Sequence, residues 1–228
     1  MRTNGNELHG ADPVTARMLL NIGAVGIRPA EPFKFTSGWA STVYIDCRRL
    51  IAYPAERRHV IDRASSLIDG TVGWRNLDAV AGGETAGIPY AAFLSTAVDK
   101  PMLYVRKQAK GFGRNARIEG AWDDGARVLL VEDLATDGAS KLSFAEALRA
   151  GGCTVAEAFV VFFYGIFPGA LDRLAAAGLR LHFLATWWDV LAEAERAGTY
   201  PAGDIAEVRA FLCDPVAWSA AHGGRDGF

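Results

Sequence analysis

Cysteine is scarce in this 228-residue chain: Cys47, Cys153 and Cys213 stand far apart, with no CxxC pair. An odd, scattered set excludes a disulfide framework and a thiolate zinc site, and it fits a reducing cytoplasm. Neither sign of charge is in excess. The formal net charge of -2 gives no global field for nucleic acid or an acidic membrane, so neither is expected as a partner. Long apolar runs are missing as well. The longest, around Phe159 to Tyr164, is far too short to span a bilayer and reads as a buried strand. The opening MRTNGNELHGADP has no apolar core and is not a secretory signal. The apolar run that ends at Val131 is not followed by GxGxxG, so the dinucleotide fingerprint is absent there, and there is no GxxxxGK[ST], which excludes a P-loop kinase. Internal repeats, linkers and low-complexity tracts are also lacking, so one domain over residues 1–228 is expected.

Half of the residues are hydrophobic, enough for a sizeable core. Asp12-Pro13 predicts a helix start, with Asp12 as N-cap and Pro13 in the first turn; Val14, Met18, Leu19, Ile22 and Val25 then share a face. A strand is predicted at Val43 to Asp46 and a helix at Pro54 to Ile68. From there strands at Leu77–Ala81, Met102–Val105, Arg127–Val131, Val155–Phe163 and Leu179–Ala185 are interleaved with helices at Ile88–Val98, Ala139–Ala150 and Pro168–Ala177. Two more helices are predicted, near Asp189 to Ala197 and Asp204 to Leu212, and the tail from His222 to Gly227 is expected to fray. Continuous apolar strands alternating with helices imply an α/β fold: a Rossmann-like parallel sheet flanked by helices. Ligands of such sheets bind beyond the carboxyl ends of the strands. The loops after residues 81, 105 and 131 are therefore the candidate site.

The most informative stretch is VLLVEDLATDGASK, residues 128 to 141. An apolar strand ends in two adjacent acids, Glu132 and Asp133. A lone acid doublet is usually a solvated turn. Here it sits at a sheet rim, and small residues that open a helix follow it. The backbone N–H groups from Ala135 through Thr136, Asp137, Gly138, Ala139 and Ser140 suit a phosphate, and Thr136 and Ser140 add hydroxyl donors. Acids for hydroxyls beside amides for phosphate describe a site for a ribose 5-phosphate. Asp137 would repel a phosphate, and it is expected to turn away and cap the following helix. The Gly82–Gly87 loop shares the rim; it is either a helix-entry turn or a second set of amides for diphosphate. Between Arg106 and Arg117, Arg106, Lys107, Lys110, Arg114 and Arg117 place five cations in twelve residues, with Gly111 and Gly113 for pliability. Such a segment is either a solvated surface loop or a lid that closes on an anionic leaving group.

With these segments in hand, the chain resembles the phosphoribosyltransferases. VLLVEDLATDGASK is similar to their phosphoribosyl pyrophosphate motif. FKFTSG at residues 33 to 38, followed by Ser41 and Tyr44-Ile45-Asp46, resembles the N-terminal signature of the orotate phosphoribosyltransferases, and YVRKQAKGFGRNARIEG at 104 to 120 resembles their mobile catalytic loop. The resemblance covers about residues 14 to 163. It implies a type I phosphoribosyltransferase-like fold with residues 1 to about 50 contributing a small hood. It also implies transfer of phosphoribosyl from phosphoribosyl pyrophosphate to orotate in pyrimidine nucleotide synthesis, a homodimer with shared active sites, and Mg2+ carried mainly by the substrate, with Asp133 its candidate protein ligand. Arg106, Lys107, Lys110 and Asp133 are the implied catalytic residues. Glu132, Asp133 and the loop from Ala135 to Ser140, with Lys34 and Tyr44, are the implied substrate contacts.

Departures from the family pattern bear on the base. Phe112 stands where the mobile loop often carries His, and none of the four histidines lies in the loop. Thr36 replaces a Lys before Ser37-Gly38, with Lys34 two residues earlier. Tyr164 lies near the place of an Arg that often reaches the orotate carboxylate; Arg48, Arg49 or backbone near Tyr44 are the candidate replacements. Trp187-Trp188 is read as core or dimer packing rather than base stacking. A phosphoribosyltransferase for another nucleobase, or a regulator that binds phosphoribosyl pyrophosphate without turnover, are the alternatives. If the cationic loop stabilises leaving charge, Lys110→Ala lowers kcat roughly a hundredfold while changing KM for phosphoribosyl pyrophosphate much less. Steady-state kinetics decide this, and equal changes in both constants would contradict the transition-state role.

Overall fold

The computed structural model describes residues 2–3, 7–8, 10–35, 37–109 and 117–226. Its N-terminal part is a set of short antiparallel pairs around one helix. β1 (Arg2–Thr3) pairs with β2 (Glu7–Leu8), and α1 (Pro13–Asn21) follows. The helix stops before Val25 because Gly23 takes a positive φ of 67°, a turn that only glycine adopts freely. Val25 opens β3 (Val25–Ile27) instead. Asp12 sits at the N-cap position but makes no capping bond there. Its carboxylate accepts from Thr15 Oγ1 at 2.8 Å and meets His59 Nε2 at 2.7 Å, which fastens α1 to the next long helix. β4 (Phe33–Lys34) pairs with β5 (Ala40–Ser41), and β6 (Val43–Ile45) pairs with β3.

A 3-10 turn over Cys47–Ala52 leads into α2 (Pro54–Thr71). The expected alternation then appears as β7 (Ala79–Gly83), α3 (Gly87–Ala97), β8 (Met102–Val105), β9 (Ile118–Glu119), β10 (Arg127–Ala135), α4 (Ala139–Ala150), β11 (Thr154–Phe163), α5 (Ala170–Ala176) and β12 (Arg180–Thr186). The sheet order is β12-β11-β10-β7-β8-β9, parallel throughout except for β9, which pairs antiparallel with β8. Strand side chains alternate between faces, so one strand feeds two cores. Leu129 and Val131 of β10 pack with Val80, Phe159, Val161 and helices α1 to α3, whereas Val128 and Leu130 pack with Ala81, Val160, Phe163 and α4. β10 runs four residues past its predicted end at Val131, because Glu132, Leu134 and Ala135 stay in register with Val160, Phe162 and Phe163. The acid pair therefore belongs to the strand.

The C-terminal third is more ordered than its sequence implies. α5 starts at Ala170 rather than Pro168, after Gly169 at φ 71°. α6 (Trp187–Ala197) starts two residues early, since Thr186 and Asp189 form a capping box. α7 (Ala202–Cys213) is followed by α8 (Pro215–Ala221), a helix that the sequence reading missed. Trp187 is buried with its ring edge-on to Phe162 and Tyr164, as core packing requires. The tail does not fray over its described residues. His222 stacks on Trp218, Gly224 N–H donates to Ser219 O at 2.8 Å, and Arg225 N–H donates to Gly38 O at 2.9 Å. Residues 227 and 228 lie outside the described residues. No described helix is long and apolar enough to cross a membrane.

Asp189 holds more than its own helix: Oδ2 accepts from Thr186 N, Thr186 Oγ1 and Gly10 N at 2.8 to 2.9 Å. Asp189→Ala leaves the Thr186 and Gly10 amides without this acceptor, while Thr186 Oγ1 keeps the Leu8 carbonyl at 2.6 Å, so it should cost about 2–4 kcal/mol. Urea unfolding measures this, and a loss below about 0.5 kcal/mol, the scatter of ordinary surface changes, would refute the role.

Candidate active site

The carboxyl ends of β7, β8, β10 and β11 open into a cleft of about 1420 Å³ that the N-terminal pairs and the C-terminal tail also border. Glu132 and Asp133 lie at its floor. Glu132 is buried, with Oε2 3.2 Å from Lys141 Nζ and Oε1 without a hydrogen-bond partner among the described residues. It fits because β7 and α3 offer glycines: a Cβ at Gly83 would overlap Glu132 Oε1, and one at Gly87 would lie 2.6 Å from it. Burial pushes the Glu132 carboxyl up to about 7; Lys141 opposes that shift and Asp133 adds to it. Asp133 is likewise shifted upward by burial, against Lys141 and the Leu134 N–H that donates to its Oδ1 at 2.8 Å.

The loop after β10 does not present all of its predicted residues equally. Thr136, Asp137 and Ser140 line the cleft, whereas Ala135, Gly138 and Ala139 do not. Ala135 is buried and its carbonyl accepts from Tyr164 N. Gly138 takes φ 88°, with Leu174 packed where a side chain would go. Asp137 Oδ1 accepts from Ala139 N at 3.1 Å, the bond to the helix start expected of it, yet the residue still borders the cleft.

The described ends of the cationic segment leave β8 and enter β9, and they are joined by Arg106 N–H donating to Arg117 O at 2.7 Å. Lys107 and Arg117 line the cleft; Arg106 does not, and its Nη1 lies 3.6 Å from Glu119 Oε1. Lys110, Phe112 and Arg114 lie outside the described residues, as does Thr36. Glu84 accepts from Lys107 N at 2.7 Å, which ties the Gly82–Gly87 loop to this segment.

Aromatic rings form the opposite end. Phe35, Trp39, Tyr44, Tyr164 and Phe167 border it, with Tyr164 and Phe167 stacked at 6.1 Å. Lys34 is present, but its amine donates to His222 O. Arg48 lines the cleft, with Nε 2.7 Å from Asp46 Oδ1 and Nη2 3.4 Å from Tyr44 Oη. Arg49 turns away to donate to Ile22 O. An acid floor, a hydroxyl-bearing helix entry, cations at one side and an aromatic end together suit a phosphorylated sugar joined to a planar base.

Sequence comparison decides the family. Over 208 residues the chain is 54% identical to an orotate phosphoribosyltransferase of Cereibacter sphaeroides, covering 91% of this chain and 90% of that one. The chain belongs to the orotate phosphoribosyltransferase family. A second member, from Rhizobium rhizogenes, is 51% identical over 92% of this chain and 91% of its own. Among solved structures, the orotate phosphoribosyltransferase of Aeropyrum pernix superposes with a TM-score of 0.68 at 36% identity, covering 82% of this chain and 99% of that one. No family model matches the chain.

Two charged residues in the cleft of this family member, Lys141 and Arg225, escaped the sequence reading. Lys141 had a usable signal: a cation in the first turn of a helix opposes the helix dipole, so it needs a partner such as Glu132. Arg225 had none, because only tertiary packing brings the tail to the cleft. Glu132 also makes a pH prediction. Its folded pKa lies above the ordinary 4.5, so the folded chain keeps a proton that the unfolded chain has lost. Its contribution to stability is present at low pH and is lost as pH rises from about 4.5 to about 7. Glu132→Gln should flatten that part of the stability–pH curve, with the share due to Asp133 persisting. Urea midpoints between these limits give the test, and identical slopes in both proteins would overturn the assignment.

Proposed function

We propose that this chain catalyses transfer of a phosphoribosyl group from phosphoribosyl pyrophosphate to orotate, giving orotidine 5'-phosphate and diphosphate. The observation that carries the reading is the buried acid pair, Glu132 and Asp133, set beside a hydroxyl-bearing helix entry at the rim of a cleft whose other end is aromatic. In this reading Thr136, Ser140 and the start of α4 hold the 5-phosphate. Asp133 and Glu132 accept from ribose hydroxyls and favour positive charge on the ribose as the bond from C1 to the diphosphate oxygen breaks. A ring nitrogen of the base forms the new bond to C1 and passes its proton to the departing diphosphate or to water.

The residues fit Mg2+ brought in on the substrate. Among the described residues no group of three or more His, Cys, Asp and Glu is placed to hold a metal ion, whereas Glu132 Oε1 is a buried oxygen without a partner among them. Mg2+ favours oxygen ligands and commonly keeps substrate phosphates and waters in its shell; bound to the diphosphate, it neutralises leaving charge. Asp133 is the carboxylate that would share it. Lys107, Lys110 and Arg106 supply further positive charge from the cationic segment. A homodimer in which this loop also reaches the neighbouring site belongs to the same reading, while Lys107 and Arg117 line the cleft of their own chain. Residues 1 to about 50 act as the hood over the base. The unpaired cysteines, Cys47, Cys153 and Cys213, fit work in a reducing cytoplasm.

The test is turnover of phosphoribosyl pyrophosphate with Mg2+ and orotate, run beside uracil and the purine bases. Turnover with orotate is expected. Activity with another base alone would replace the substrate, and binding without turnover of any base would make the protein a regulator. Asp133→Asn should weaken phosphoribosyl pyrophosphate binding roughly ten- to a hundredfold, the value of hydrogen bonds to a charged acceptor. Unchanged affinity would remove Asp133 from the ribose site.

A further inference from the structure

Orotate differs from uracil by one carboxylate, and a cation whose N–H donors are not already engaged by another carboxylate reads such a group best. Lys34, Arg48 and Arg225 line the aromatic end of the cleft. Lys34 gives one of its three ammonium donors to the His222 carbonyl, which holds its amine at the tail. Arg48 is paired with Asp46, whose carboxylate holds its guanidinium still more firmly protonated. Arg225 has no carboxylate partner among the described residues. Its guanidinium carbon stands 5.5 Å from the Trp39 ring centroid. A cation held on an aromatic face keeps its in-plane N–H donors for a ligand.

The tail that carries Arg225 is a seated element. Ser219 Oγ accepts from Ala40 N at 3.1 Å, joining α8 to β5. Gly224 lies so close to β5 that a Cβ would collide with the Ala40 backbone, and Arg225 N–H closes the contact on Gly38 O at 2.9 Å. Backbone contacts thus fix where the side chain begins, while the side chain itself stays exposed at the cleft.

We propose that Arg225, delivered by the C-terminal tail, reads the carboxylate of the pyrimidine. The inference rests on the orotate reading and deepens it. The experiment compares, by calorimetry, the affinities of orotidine 5'-phosphate and uridine 5'-phosphate, which differ only by the carboxylate. It uses the wild-type chain, Arg225→Gln, Arg225→Lys and Arg48→Gln, with melting temperatures to establish that each is folded. Arg225→Gln should lower the preference for the carboxylated nucleotide roughly ten- to a hundredfold and leave uridine 5'-phosphate affinity unchanged. Arg225→Lys should retain part of the preference, and Arg48→Gln most of it. An unchanged preference in Arg225→Gln, an equal loss for both nucleotides, or a preference abolished by Arg48→Gln alone overturns the proposal. Wild-type protein that turns over orotate while Arg225→Gln keeps its preference sinks this inference alone. Wild-type protein without orotate turnover or preference sinks the functional reading beneath it.

Discussion

The placement of a buried carboxylate, Glu132, against a buried ammonium, Lys141, is the constraint from which the site is built. Taking both groups out of water is costly, and their attraction offsets that cost only at close range. Glycine at 83 and 87 makes the approach possible, since side chains there would occupy the space of Glu132 Oε1. The same constraint sets the start of α4: Lys141 lies in its first turn, where the helix dipole alone would disfavour a cation. Strand β10, the entry to α3 and the first turn of α4 are thus mutually fixed at the point where the substrate's ribose is proposed to lie.

Around that floor, the cleft is walled by segments distant in the chain. The segment between β8 and β9 is joined to the loop after β7 by Glu84 and Lys107, so two of the rim's loops share a hydrogen bond. On the opposite side, residues 33 to 48 meet the last ten described residues through Ser219, Gly224 and Arg225. A site assembled from both ends of the chain depends on the whole fold. Its acid floor is set by the parallel ladder, and its aromatic end by the docking of α8.

Much of the architecture was legible in the sequence. The strand–helix alternation after residue 77 and the acid doublet at a strand end stood out because a buried parallel strand must be apolar on both faces, so carboxylates inside one are conspicuous. Boundaries were less legible where local and tertiary preferences compete. The end of β10 was placed at Val131, since two acids look like a turn, but pairing with Val160 to Phe163 keeps the chain extended to Ala135. Helix α8 was missed, because Pro215 to Ala221 is too short for periodicity to stand out. The tail looked free because Gly-Gly-Arg-Asp-Gly has no apolar group to bury.

The sequence by itself determined the fold class, the acid pair, the small-residue helix entry after it and the family to which they belong, because these depend on residue type within a short, continuous segment. Tertiary structure decided which of the candidate cations face the cleft. Arg49 and Arg106 point elsewhere, Lys34 is held at the tail by a backbone carbonyl, and Lys141 and Arg225 enter instead. A long cationic side chain reaches across several residues of its surroundings, so its destination is set by the carboxylates, carbonyls and rings that packing places within reach, and those come from segments far away in the chain.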